Sequence, residues 1–272
     1  MAVNYSKKQE EFANKNYYGQ LYNQKNLVLN KILKNIKYTK NKFYNFYNKV
    51  KKKFIRAENE HEISFNLKEI NNLITRKQFK DSGYFFIENF LTDKCYKHIN
   101  NYWPNNCFFY AADSPLKNYN FGFRYLNKQF TNSYDFKKNL AITKFYNFII
   151  SKEFEIQINK SLGETGYKVF SIVASSAKKD SFLIPHQDTS LDDNHVRNLV
   201  NIIYFVDGSE NAEESGSTGI YDDPDFKKLI FVPKTIKNSA LIYNSKMNFF
   251  HGFKKMSFES YRKAISFQLE KN

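Results

Sequence analysis

From Tyr167 to the end of the chain, short apolar segments alternate with polar turns. The segments are "YKVFSIVAS", "VRNLVNIIYFVDG", "GSTGIYDD", "KLIFVP", "SALIYN", "NFFHGFKK" and "RKAISFQLE". Most are bounded by Gly, Pro, Asn or Asp, and none is long enough for a helix that buries one face. Such a run of strands, with no helical stretch between them, excludes an alternating βαβ sheet. It predicts a β-sandwich or jelly roll as the core of an α+β, mainly β, domain.

Upstream the pattern is mixed. "NLKEINNLITRKQF" reads as a short helix and "GYFFIENF" as a strand after Gly83. Thr92 stands where an N-cap belongs, before a helix in "DKCYKHINNYW" that ends at Pro104. Residues 104–137 are rich in Asn, Tyr and Phe without a clear period, so they read as a long connection of the kind that often carries function. Residues 139–163 read as one helix stopped by Gly163 and Gly166. Further upstream, Phe43, Phe46, Tyr47, Val50 and Phe54 make an apolar stripe at helical spacing, with lysines between them and a similar stripe at Leu29, Ile32, Leu33 and Ile36. The chain therefore divides into a basic helical extension at 1–60 and a larger domain at 61–272.

The formal charge of +15 invites a nucleic-acid partner, but its location argues against one. Residues 1–56 hold 14 basic and 2 acidic groups, whereas the remainder holds 28 and 25. The excess belongs to the extension, and A/T-rich codons favour the Lys and Asn that dominate it. The stripe at 25–56 suits packing on the domain, contact with a second copy, or peripheral attachment to an anionic membrane. With only Cys95 and Cys107, no disulfide framework is expected. The first twenty residues contain no apolar signal region and no segment is long and apolar enough to span a bilayer, so a soluble cytoplasmic protein is the expectation.

Two histidines and a carboxylate stand out on the strand-rich half. His186 and Asp188 form His-x-Asp in "LIPHQDTS", and alternate residues of an extended chain point the same way. His251, in "NFFHGF", lies 65 residues on, with four strand-like segments between, enough chain to cross the roll and return. Two imidazoles and one carboxylate on one face of a metal are the ligand set of non-haem iron(II), which leaves positions open for oxygen and a co-substrate. Eleven residues further, Arg262 supplies a fixed cation with parallel donors for a carboxylate. Of the other histidines, His61 sits in a charged linker, His98 on a helix and His195 in a polar loop.

The pattern His186-Gln187-Asp188, His251, Arg262 resembles the Fe(II)- and 2-oxoglutarate-dependent dioxygenase superfamily. The order "VNIIYFVDG", "SGSTGIY", "FVPKTIKNSALIYNS", "NFFHGFKK", "YRKAISFQL" is similar to its prolyl-hydroxylase-like and phytanoyl-CoA-dioxygenase-like branch, and the likeness covers roughly 80–270. It implies a double-stranded β-helix (a cupin-like jelly roll) with flanking helices, and His186, Asp188 and His251 as ligands of Fe(II). It also implies 2-oxoglutarate as co-substrate with Arg262 on its distal carboxylate, O2 as oxidant, and succinate as co-product. Many relatives carry Ser or Thr two residues after the arginine. Here that position is Ala264, so Ser266 or Tyr204 is expected to supply the hydroxyl. Asp188 is in place, which implies hydroxylation or a related oxidation and not halogenation. The absence of a further arginine after Arg262 speaks against nucleic-acid demethylation.

The segments 104–137 and 178–195 are expected at the mouth of the site, with Tyr110, Tyr119, Phe121, Arg124, Tyr125, Lys178 and Lys179. The substrate expected there is a polar small molecule, such as a sugar or amino-acid derivative. Two other readings stay open: a peptidyl prolyl-type protein hydroxylase, and a non-catalytic jelly-roll binding module docking to an anionic surface.

Overall fold

The structure, a computed structural model, describes residues 73–105, 108–113, 119–126, 139–188, 199–209, 216–257 and 260–271. The extension 1–60, with its expected helix at 25–56, lies outside the described residues, as do His61 and His195. Elements follow in the order α1 (Leu73–Ser82), β1 (Tyr84–Glu88), α2 (Asp93–Asn101), β2 (Tyr110–Asp113), β3 (Tyr119–Tyr125), α3 (Leu140–Ile149) and α4 (Lys152–Leu162). Then come β4 (Tyr167–Lys178), β5 (Phe182–His186), β6 (Leu199–Gly208), β7 (Gly219–Tyr221), β8 (Leu229–Phe231), β9 (Ser239–Asn244), β10 (Phe250–Phe253) and β11 (Tyr261–Lys271).

The last eight strands pair in nested fashion: β7 with β8, β6 with β9, β5 with β10 and β4 with β11, all antiparallel. They form one long two-stranded ribbon, turned back on itself between β7 and β8. The ribbon coils, so β10 also pairs with β7, and β11 with β6. This is the double-stranded β-helix that the strand order predicted. β1 adds to β9. β3 bridges β4 and β5, and β2 pairs with β3. Where the curled sheet's two ends meet, Tyr84 and Phe86 of β1 pack on Phe231 of β8, with ring centroids 5.3 and 5.7 Å apart. Aromatic contact at that seam replaces a ladder of hydrogen bonds.

The core lies in two layers. Outside the sheet, Ile99 of α2, Phe145 of α3 and Phe154 of α4 pack with Ile202, Tyr204, Ile242, Ile265 and Phe267. Inside the roll, Ile203, Phe205, Ile220, Leu241, Tyr243 and Ala264 make a second cluster. β6 is covered on both faces, so its sequence "LVNIIYFVD" is buried throughout and reads as a continuous apolar run instead of an alternating one.

Two expectations are corrected. Residues 139–163 are two helices. Ser151 accepts a hydrogen bond from the Phe154 amide (3.1 Å) while donating to the Phe148 carbonyl (2.7 Å). One hydroxyl thus ends α3 and caps α4, and Glu153 and Glu155 sit in the first turn where the helix dipole favours them. Gly163, at φ 66°, closes α4 in the left-handed conformation glycine adopts without strain. The second correction is at 104–137, which holds the strands β2 and β3. Among the described residues, none of the helices is long and apolar enough to cross a membrane.

Candidate metal centre and anion clamp

β5 and β10 put His186 directly opposite His251, with ring centroids 4.2 Å apart. Asp188 lies two residues past the end of β5. The Nε2 atoms of His186 and His251 stand 3.9 and 3.8 Å from Asp188 Oδ1. One ligand atom from each of the three residues falls within 4.8 Å of the others. The two nitrogen–oxygen separations are shorter than twice a metal–ligand bond of about 2.1 Å, so one ion can bridge each pair.

Neighbours orient these groups. His186 Nδ1 lies 3.1 Å from the Ile184 carbonyl, which leaves Nε2 to face Asp188. Tyr243 donates its hydroxyl to Asp188 Oδ2 at 3.2 Å, leaving Oδ1 for the histidines. Gln187 Nε2 donates to the Asn248 carbonyl, tying the His-x-Asp segment to the turn before β10. Burial pushes His251 down to about 4, with Asp188 pulling the other way and the charge of Arg262 adding to the fall. The imidazole is therefore neutral at physiological pH, the form a metal needs. Tyr243→Phe is expected to lower Fe(II) affinity about 10–100-fold by freeing Asp188 to turn, which a metal titration checks.

The strands can approach this closely because position 252 is glycine. A Cβ there would lie 2.5 Å from the Leu183 carbonyl oxygen and 2.8 Å from the Pro185 nitrogen, both backbone atoms. Gly252→Ala therefore forces β5 and β10 apart beside the paired histidines. A loss of about 1–3 kcal/mol in stability is expected, with weakened metal binding, measurable by denaturant melts and metal titration.

Arg262 opens β11 and points into the roll. Its guanidinium carbon lies 4.7 Å from the Phe253 ring centroid and 5.4 Å from that of Phe205. Nη2 donates to Thr218 Oγ1 at 3.1 Å, and Nε, also buried, has no partner. Only 4% of the residue is exposed, and no carboxylate within ion-pair distance answers it among the described residues. Burial pushes its pKa down to about 9, which still leaves it charged at neutral pH. A buried cation without a counter-anion costs several kcal/mol, and a ligand carboxylate is the group that would offset it.

The hydroxyl beside Arg262 is that of Thr218, in "SGSTGIY", and not Ser266 or Tyr204. The structure does not bring Tyr204 to the guanidinium. Inward positions of β6 are Ile203 and Phe205, so Tyr204 faces the helices, stacks on Phe145 and directs its hydroxyl to Asn238 Oδ1. Ser266 shares the inward face with Ala264 but lies four residues further along β11 than the arginine. Of the residues expected at the mouth, Tyr119, Phe121 and Tyr125 alternate along β3. Arg124 turns the other way and donates to the Phe108 carbonyl. His98 lies on α2, its ring 5.0 Å from that of Tyr102.

No protein-family model matches the sequence, and no curated protein matches it either. Solved structures do. A prolyl hydroxylase from Trichoplax adhaerens, in complex with a hypoxia inducible factor oxygen degradation domain peptide fragment, is 16% identical with a TM-score of 0.55, covering 76% of this chain and 90% of that one. A Pseudomonas putida prolyl-4-hydroxylase is 10% identical with a TM-score of 0.51, covering 73% and 98%. HygX from Streptomyces hygroscopicus, with nickel, 2-oxoglutarate and hygromycin B bound, is 13% identical with a TM-score of 0.52, covering 74% and 88%. At such identities the likeness is one of architecture, and the chain has the jelly-roll fold of the Fe(II)/2-oxoglutarate oxygenase superfamily that its sequence resembles.

Proposed function

We propose that the chain is an Fe(II)- and 2-oxoglutarate-dependent oxygenase that hydroxylates or otherwise oxidises a polar small molecule. The observation that carries this reading is Arg262, a buried cation without an anion among the described residues, inside the same roll as three converging candidate metal ligands. A jelly roll kept only for binding gains nothing from that uncompensated charge.

His186, Asp188 and His251 would hold the iron, with Tyr243 and the Ile184 carbonyl fixing the ligands' orientation. Arg262 and Thr218 would take the distal carboxylate of 2-oxoglutarate, and the rings of Phe253 and Phe205 exclude water from that contact. Iron, when bound, supplies the activation of oxygen that is coupled to decarboxylation of the 2-oxo acid. The protein contributes a fixed geometry and a dry wall. The metal, 2-oxoglutarate and small molecule bound to HygX support this reading. A peptidyl hydroxylase is the second reading, supported by the likeness to a prolyl hydroxylase in complex with a peptide.

Anaerobic titration with Fe(II) and 2-oxoglutarate, followed by admission of oxygen, tests the proposal. A charge-transfer absorption that needs both additions, and succinate formed at the expense of oxygen, are expected. Absence of iron affinity, or succinate formation untouched by His186→Ala, overturns it.

A further inference from the structure

We infer that β3 is the substrate platform of this site and that the group it fits is an uncharged saccharide ring. The inference rests on the oxygenase reading and names its substrate class. Tyr119, Phe121, Phe123 and Tyr125 occupy alternate positions of one strand and form one aromatic cluster, with successive ring centroids 5.8, 6.0 and 5.7 Å apart and Tyr119 also 6.1 Å from Phe123. Their face is the inner one. Phe123 pairs with Ser175 of β4, and Ser175 pairs across with Ala264, a member of the interior cluster. Phe121 rests on the arginine's floor, 5.8 Å from Phe253. Tyr119 pairs with Leu183 of β5, the strand that ends at His186. Phe205 and Phe253 are fully buried, whereas the four rings are only partly buried. On the inner face of the roll, that residual exposure is aromatic surface open to a ligand.

Three features narrow what can lie on them. First, both edges of β3 are taken, by β2 on one side and by β4 and β5 on the other, so β3 has no edge free to add an extended peptide as a further strand. The aromatic surface that stays exposed suits the C–H face of a cyclic group. Second, among the described residues the nearby inward positions Val173, Ser175, Ser266, Ile203 and Asn201 carry no charge, so none of them pairs the ammonium or carboxylate of a free amino acid. Third, the wall is not purely apolar. Asn201 is 3% exposed and its Nδ2 has no partner. It pairs across strands with Tyr243, whose hydroxyl holds Asp188. An unpaired buried amide donor next to the metal carboxylate's own partner calls for a ligand acceptor, such as a sugar hydroxyl. Apolar faces with neutral hydroxyls at the rim describe a saccharide ring better than a lipid or a charged metabolite.

The test is saturation-transfer NMR on the full chain loaded with Zn(II) and 2-oxoglutarate. The probes are methyl hexosides, methyl pentosides and methyl N-acetylhexosaminides, set against L-proline, L-glutamate and a proline-containing peptide. Transfer from protein aromatic protons to the ring C–H protons of a neutral glycoside is expected. Phe123→Ala is expected to weaken binding of that glycoside about ten-fold. Asn201→Leu, which removes an unpaired donor at similar volume and so keeps the fold, is expected to weaken it to a similar degree. Transfer to none of the glycosides, stronger transfer to the peptide or amino acids, or glycoside binding unaltered in Asn201→Leu overturns the inference. Iron-dependent succinate formation is scored separately, so the oxygenase reading stands or falls on its own result.

Discussion

Arg262→Met is expected to lower the affinity for 2-oxoglutarate at least about 100-fold while raising the melting temperature of the ligand-free protein. The two effects share one cause. The guanidinium is buried between Phe253 and Phe205 with no carboxylate in reach among the described residues, so the folded chain carries the cost of an unpaired charge until a ligand arrives. Methionine fills the same space against the same rings and removes that cost. Each kcal/mol recovered raises the midpoint by about 2–4 °C in a domain of this size. Isothermal titration and a thermal melt, each with and without 2-oxoglutarate, read both effects. A falling midpoint with undiminished 2-oxoglutarate affinity would make Arg262 a structural residue.

Asp188→Ala is expected to cost at least about 1,000-fold in Fe(II) affinity, with succinate formation falling to background. Among the described residues Asp188 supplies the only carboxylate of the site, and its Oδ1 lies within 4 Å of both imidazoles. The alanine variant also strands the Tyr243 hydroxyl, so Asp188→Asn is the matching control. It keeps an acceptor oxygen for Tyr243 while removing the charge. Iron titration of both variants separates the loss of a ligand from the loss of its support. Iron affinity close to that of the unmodified protein in Asp188→Ala would remove this residue from the site.

What could be read in the sequence, and what could not, follows from the reach of each interaction. The jelly roll was legible because its strands are short, apolar and crowded, and that pattern is local. His186 and Asp188 were legible as a pair because a period of two is local as well. Thr218 was not. Its only mark is a place in the Gly-rich "SGSTGIY", and what brings it to Arg262 is the coiling of the ribbon, 44 residues apart in sequence. Tyr204 looked eligible because β6 is apolar on both faces, so its sequence does not say which residues face inward. β3 was missed for a different reason. "YNFGFRY" alternates cleanly once isolated, but the Asn, Tyr and Phe on either side blur the period. The break at Ser151 was hidden because both halves of 139–163 carry helical periodicity, and a single hydroxyl decides the join.

The nested pairing of the ribbon also sets an order of assembly. β7 and β8 close over a short turn, β6 and β9 over a longer span, and β5 meets β10 only after that, joining residues 65 apart at His186 and His251. Loop-closure entropy makes the shortest span the natural nucleus, from which the rest zips outward. His186 and His251 come together at the third step, so an ion held there would act as a late clasp on molecules already zipped, stabilising them by mass action.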